Sequence, residues 1–137
     1  MAKKSNSINV SGKRKTAIAR ATIKEGKGKV KINKVFADTI TPEISKLKIA
    51  EPLMIAGDLA NKVDIDVSVQ GGGYNSQAEA VRLAISRALI KYSKDEQLEK
   101  DLLNYDRTLL VADVRRRESR KPNNHGKARS KVQFSKR

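Results

Sequence analysis

Apolar positions recur along this chain with two different periods, and the change of period marks out its elements. Val63, Ile65, Val67 and Val69 alternate strictly with Asp64, Asp66, Ser68 and Gln70, which predicts a strand buried on one face. Ala17, Ala19, Ala21 and Ile23 share one face of an earlier run, against Thr16, Ile18, Arg20 and Thr22 on the other. Glu25-Gly26-Lys27-Gly28 then reads as a turn, and Val30 and Ile32 alternate with Lys29, Lys31 and Asn33. These two runs predict a hairpin over residues 14–24 and 28–34. After Gly71-Gly72-Gly73 the period lengthens. Val81, Ala84, Ile85, Ala88, Leu89 and Tyr92 form an unbroken helical stripe, and Ser76-Gln77-Ala78-Glu79 ahead of it reads as a capping box.

The remaining segments are shorter. Thr41-Pro42-Glu43 looks like a helix start with Thr41 as cap, turning Ile44, Leu47 and the stem of Lys48 inward. Glu51-Pro52 restarts a second short helix through Leu53, Met54, Ile55 and Ala56, stopped by Gly57. A further helix runs from Asp95 to Tyr105 on Leu98, Leu102 and Leu103, and Thr108 to Ala112 is the last apolar stretch. Residues 1–9 are polar and read as loose. No repeat or linker divides the centre. The pattern therefore predicts one α+β domain, residues 8–113, between a flexible N-terminus, 1–7, and a tail, 114–137.

Charge changes the picture more than composition does. The formal charge of +15 is segregated: residues 1–34 hold eleven basic residues and one acidic, 114–137 hold ten and one, and 35–113 hold nine and thirteen. The large apolar residues of the tail are Val114, Val132 and Phe134 alone. Such a segment buries too little to offset its chain entropy. A polycation that does not fold alone calls for a polyanion, and cations placed at both ends of a mildly acidic centre point to nucleic acid. With no cysteine, disulfides and Cys-ligated zinc are excluded. The longest apolar run, Leu53 to Ala56, is far too short to cross a bilayer, and the lysines of MAKKSNS are not followed by the apolar stretch of a secretory signal. A cytoplasmic protein with no cofactor is expected.

Candidate chemistry is sparse. Three glycines between a strand and a helix N-terminus can form a tight turn, admit a nucleic-acid backbone, or cradle a small anion. No Lys-Ser/Thr follows as in a P-loop, and the third glycine of a dinucleotide fingerprint is absent. Asp64 and Asp66 share a strand face without a third ligand nearby, so a solvated face outweighs a metal site. His125, the single histidine, lies in a turn-like cationic setting with no orienting partner, which suits solvation or stacking on RNA rather than base catalysis. Phe36, Tyr74, Tyr92, Tyr105 and Phe134 do not make a stacking platform. Binding should run through phosphates and shape, with Tyr74 and Phe134 as isolated stackers. The RNA contacts expected are hairpin cations Lys13, Arg14, Lys15, Arg20, Lys27, Lys29 and Lys31, the segment Gly71, Gly72, Gly73, Tyr74 and Gln77, and tail cations Arg115, Arg116, Arg117, Arg120, Lys121, Lys127, Arg129 and Lys131. The rival readings are a phosphotransferase using Gly71–Gly73 and a nonspecific RNA- or DNA-binding protein.

Several of these segments resemble one family. Gly12-Lys13-Arg14-Lys15-Thr16-Ala17, Glu25-Gly26-Lys27-Gly28 with Lys31-Ile32-Asn33, Glu51-Pro52-Leu53, Gly71-Gly72-Gly73 with Gln77, Ala80, Arg87, Ala88 and Leu89, and the closing Gln133-Phe134-Ser135-Lys136-Arg137 are similar to small-subunit ribosomal protein nine. Tyr105 to Asp113 looks like its archaeal and eukaryotic branch. The resemblance implies an α+β fold of the ribosomal protein S5 domain 2-like type with a left-handed βαβ crossover and a long, extended basic tail. It implies a structural, non-enzymatic role in the head of the small subunit. The partners would be ribosomal RNA, neighbouring ribosomal proteins and the peptidyl-site tRNA, met by Ser135, Lys136 and Arg137, with no membrane contact and no free homo-oligomer.

Overall fold

The computed structural model of the protein describes residues 6–129. Five strands, β1 (Ile8–Arg14), β2 (Ala17–Glu25), β3 (Val30–Ile32), β4 (Val35–Phe36) and β5 (Val63–Gln70), form one mixed sheet in the order β1-β2-β5-β3-β4. Helices α1 (Glu43–Ala56), α2 (Tyr74–Ser93) and α3 (Glu96–Tyr105) accompany it. The α+β class expected from the pattern is what forms.

The sheet and α2 make the core. Ala19, Ala21 and Ile23 stand opposite Val69, Val67 and Ile65 across the β2–β5 ladder, and all are buried. Small residues dominate where α2 crosses. Ala17, Ala19 and Ala21 on β2 and Ala80, Ala84 and Ala88 on α2 are all fully buried. Gly12 completes this close approach, because a Cβ there would lie 2.5 Å from the Ala80 carbonyl oxygen and 2.8 Å from the Ala84 nitrogen. The stripe Val81, Ala84, Ile85, Ala88 and Leu89 is buried as its spacing requires.

The hairpin expected over 14–24 and 28–34 does not form. The partner of β2 is β1, across the turn at Lys15 and Thr16, so residues 8 and 9 belong to a strand rather than a loose end. β3 pairs in parallel with β5, which lies between β2 and β3. The Glu25–Gly28 turn exists, but the start of β5 takes its hydrogen bonds. Gly26 N–H donates to the Lys62 carbonyl (3.0 Å) and Gly28 N–H to that of Val63 (3.1 Å). The Asp64 carboxylate accepts from the backbone N–H groups of Lys27 and Lys29 at 2.9 and 3.0 Å. These two bonds hold the carboxyl below the ordinary aspartate range.

Three helix expectations are also corrected. Residues 43–56 form one helix with Pro52 inside it, and Pro42 rather than Thr41 holds the N-cap position. The missing Pro52 N–H costs one helical hydrogen bond, but its ring is buried in the core. The inward face is Ser45, Ile49 and Pro52, while Ile44 and Leu47 point outward and Met54 is 78% exposed. α2 begins at Tyr74, so no capping box forms at Ser76, and Gly73 holds the N-cap position without a side-chain cap. In α3, Leu98 and Leu102 are buried but Leu103 is exposed, and Asp95 caps the helix by accepting from Gln97 N–H at 2.9 Å.

Candidate nucleic-acid interface

Three segments far apart in sequence meet at one end of the sheet. The first is the β1–β2 turn, where Lys15 adopts a positive φ of 53°. The second is the glycine turn after β5. Gly71 and Gly72 have φ of +79° and +67°, and a Cβ on Gly71 would lie 2.5 Å from the Thr16 carbonyl oxygen. Only residues without side chains bring the end of β5 this close to the β1–β2 turn. Gln77 closes the glycine turn, its side-chain amide donating to the Gly71 carbonyl at 3.1 Å. Gly73, by contrast, faces open space. The uncapped first turn of α2 therefore presents free backbone N–H groups and the positive end of a 20-residue helix dipole.

The third segment is the root of the tail. Arg14 Nε donates to Glu79 Oε2 at 2.7 Å, and its Nη1 lies 3.4 Å from Asp113 Oδ2, with 15% of the Arg14 side chain exposed. Asp113 in turn accepts from Arg115 Nη2 (2.7 Å), Nε (3.0 Å to Oδ2) and backbone N–H (2.9 Å). The side-chain and backbone donors of Arg115, with Arg14 behind them, hold the Asp113 carboxyl far below the ordinary range. Burial pushes Glu79 up, but hydrogen bonds from Arg14 and Lys48 outweigh it and leave its pKa lowered. As a result Arg14, Lys15, Thr16, Arg115, Arg116 and Arg117 line one open cleft.

The clamp behind this cleft was not legible in the sequence. Arg82 pairs with Asp106 at 3.0 Å and with Glu51 at 2.5 Å. Arg87 donates to the Leu110 carbonyl and to the Ser11 carbonyl on β1, both at 3.1 Å. Leu109, fully buried, plugs the segment between them. Arg82 and Arg87, set beside the apolar stripe of α2, were the available signal.

The other candidates lie elsewhere. Lys27 and Lys29 sit at the opposite end of β5, beside Asp64, about 20 Å away at strand spacing. Lys31 lies 5.1 Å over the Phe36 ring and stands opposite Asp66 in register, and Arg20 stands between Ser11 and Ser68 on the open sheet face. In the tail, residues 118–129 turn back on themselves rather than extending. Arg129 pairs with Glu118, Nη2 to Oε1 at 2.6 Å, Lys121 N–H donates to the Lys127 carbonyl at 3.2 Å, and Lys127 N–H to that of Asn124 at 3.0 Å. Arg120, Lys121, His125 and Lys127 are exposed on that loop. Lys131, Ser135, Lys136 and Arg137 lie outside the described residues. Among the described residues no group of three His, Cys, Asp or Glu side chains could hold a metal ion, and no helix is long and apolar enough to cross a membrane.

Comparison with known proteins adds an independent line. Residues 12–137 match the family described as ribosomal protein S9/S16. The chain is 47% identical over 128 residues to the small ribosomal subunit protein uS9 of Methanothrix thermoacetophila, covering 93% of this chain and 96% of that one. It is 44% identical over 129 residues to the uS9 of Methanococcus maripaludis, again covering 93% and 96%.

Proposed function

The chain belongs to the ribosomal protein S9/S16 family, in its archaeal-like form, and from that premise we propose how it serves the small subunit. Its role is structural rather than catalytic. The core, residues 8–113, seats on ribosomal RNA in the subunit head through the cleft at the glycine end of the sheet. Lys27, Lys29 and the open sheet face make separate, peripheral phosphate contacts. Residues 114–137 form an arm whose tip, Ser135, Lys136 and Arg137, contacts the peptidyl-site tRNA, with Lys136 and Arg137 neutralising its phosphates. The β3–α1–β5 crossover is the left-handed unit of the S5 domain 2-like fold. The partners are RNA and neighbouring subunit proteins in the cytoplasm rather than a second copy of the chain.

The observation that carries this reading is the convergence of Lys15, Gly71–Gly73 and Arg115–Arg117. An ammonium, the backbone N–H groups of a helix N-terminus and planar guanidinium forks are three donor types suited to phosphate, and the fold brings all three to one end. The test is sedimentation and salt. Full-length tagged protein should travel with small subunits through a sucrose gradient in moderate salt. Its affinity for small-subunit RNA should fall by roughly 0.7–0.9 log units per log unit of salt for each phosphate neutralised. Replacing Arg115, Arg116 and Arg117 by Gln should flatten that slope by about two to three units. Protein that stays at the top of the gradient would overturn the assignment. Deleting Lys136 and Arg137 should leave sedimentation intact and weaken peptidyl-site tRNA binding; unchanged tRNA affinity would remove the tip from the proposal.

A further inference from the structure

Beside the cationic cleft lies a groove that phosphate contacts do not account for. Its volume is about 320 Å³, at the lower end of the roughly 300–1,000 Å³ range of small-molecule sites. Its walls are aliphatic, with Ile32, Ile40 and Val81 among them, and Ser45, 4% exposed, lies on the same wall as a buried polar side chain. Tyr74 and Gln77 belong both to this groove and to the glycine turn. Tyr74 is 66% exposed although it opens the longest helix of the fold.

We propose that this groove takes one nucleobase, unstacked from a bulge or loop of the bound RNA, while the phosphate of the same nucleotide rests on the N-terminus of α2. The inference rests on the RNA-binding reading above and deepens it. Three observations select this occupant. The groove opens at the side chain of Tyr74, the first residue of α2, so a nucleotide anchored by phosphate at Gly73 has its base within reach. The uncapped N-terminus of α2 beside the mouth favours an anionic ligand. The lining combines flat apolar walls, one aromatic ring and a few hydroxyl and amide groups, which is how splayed-out RNA bases are held. An apolar side chain from a protein neighbour would fill the walls but leave the positive end of α2 unmatched.

The experiment compares three short RNA duplexes with the full-length chain: one with a single-nucleotide bulge, the same with an abasic bulge, and one unbulged. The base-bearing bulge should bind about tenfold more tightly than the abasic one, the effect of one stacked base. Ser45→Leu, which fills the groove from its wall, should bring that ratio to about one while the abasic duplex keeps its affinity and salt slope. Where Ser45→Leu does not fold, Tyr74→Ala at its exposed position should lower the ratio likewise. Equal affinity of the wild type for base-bearing and abasic bulges overturns the proposal while leaving phosphate binding standing. Failure to bind any of the three duplexes overturns the RNA-binding reading itself.

Discussion

At the scale of single residues, the glycines separate packing from contact. Gly12 is glycine because α2 leaves no room for a Cβ. Gly12→Ala should cost about 1–3 kcal/mol, the usual cost of overpacking, measured by urea unfolding. Gly73 has no such constraint, since nothing lies within 4 Å of its Cβ direction. Gly73→Asp should cap α2 and raise stability by a few tenths of a kcal/mol, yet put an anion where the phosphate would rest and lower RNA affinity about tenfold. A variant that binds RNA as well as the wild type would remove the α2 N-terminus from the interface. The triple glycine was visible in the sequence, but its three members differ in role. Two carry positive φ against the β1–β2 turn and one faces open space, and this depends on β2, fifty residues earlier. Arg14 makes the same point, since it reads as one more basic residue until Glu79 and Asp113 are seen to hold it.

At the scale of elements, periodicity was a reliable guide and pairing was not. β5 and the stripe of α2 appear where alternation and 3.6-residue spacing place them. The β2–β3 hairpin fails because a tight turn between two alternating strands says nothing about a third strand able to insert between them. The inserted β5 buries Val63, Ile65, Val67 and Val69 and ladders to both neighbours, and Asp64 fastens the turn by accepting from its N–H groups. The double helix expected over 41–57 fails for a different reason: a buried Pro52 is tolerated inside α1. On the proposed function, the tail root is the element on which RNA binding most depends. Arg87→Met would leave the carbonyls of Ser11 and Leu110 without their donor and should destabilise the fold by about 1–3 kcal/mol. It should also raise amide exchange across residues 110–115, read by NMR. Unchanged exchange there would mean that the segment is held by Leu109 packing alone.

At the scale of the whole molecule, charge segregation was legible in the sequence, but its geometry was not. Among the described residues, the N-terminal cations divide between the two ends of the sheet and its open face, and one of those ends is shared with the tail root. The acids of the centre are not a neutral background either. Asp64, Glu79, Asp106 and Asp113 each hold a cation or cap a turn, and each has a lowered pKa. A carboxyl whose folded pKa lies below its unfolded value binds fewer protons when folded, so its contribution is present at neutral pH and lost on acidification. Stability should therefore be flat from pH 7 to about 5 and fall below that, as read from urea midpoints. A midpoint unchanged at pH 3 would show that these carboxylates contribute nothing. The strand order carries one more consequence, in time rather than in space. With β5 between β2 and β3, no part of the sheet is complete until residue 70 has been made, and α2 does not cover it until residue 89. A two-stranded β1–β2 ribbon is marginal alone. The first 34 residues, with eleven cations, thus leave the site of synthesis well before the contacts that will shape them. The pairings of β2 and β3 with β5 are distant in sequence, so they form slowly relative to local structure. On the proposed function, the nascent chain therefore offers RNA its charge before β5 gives that charge a fixed arrangement.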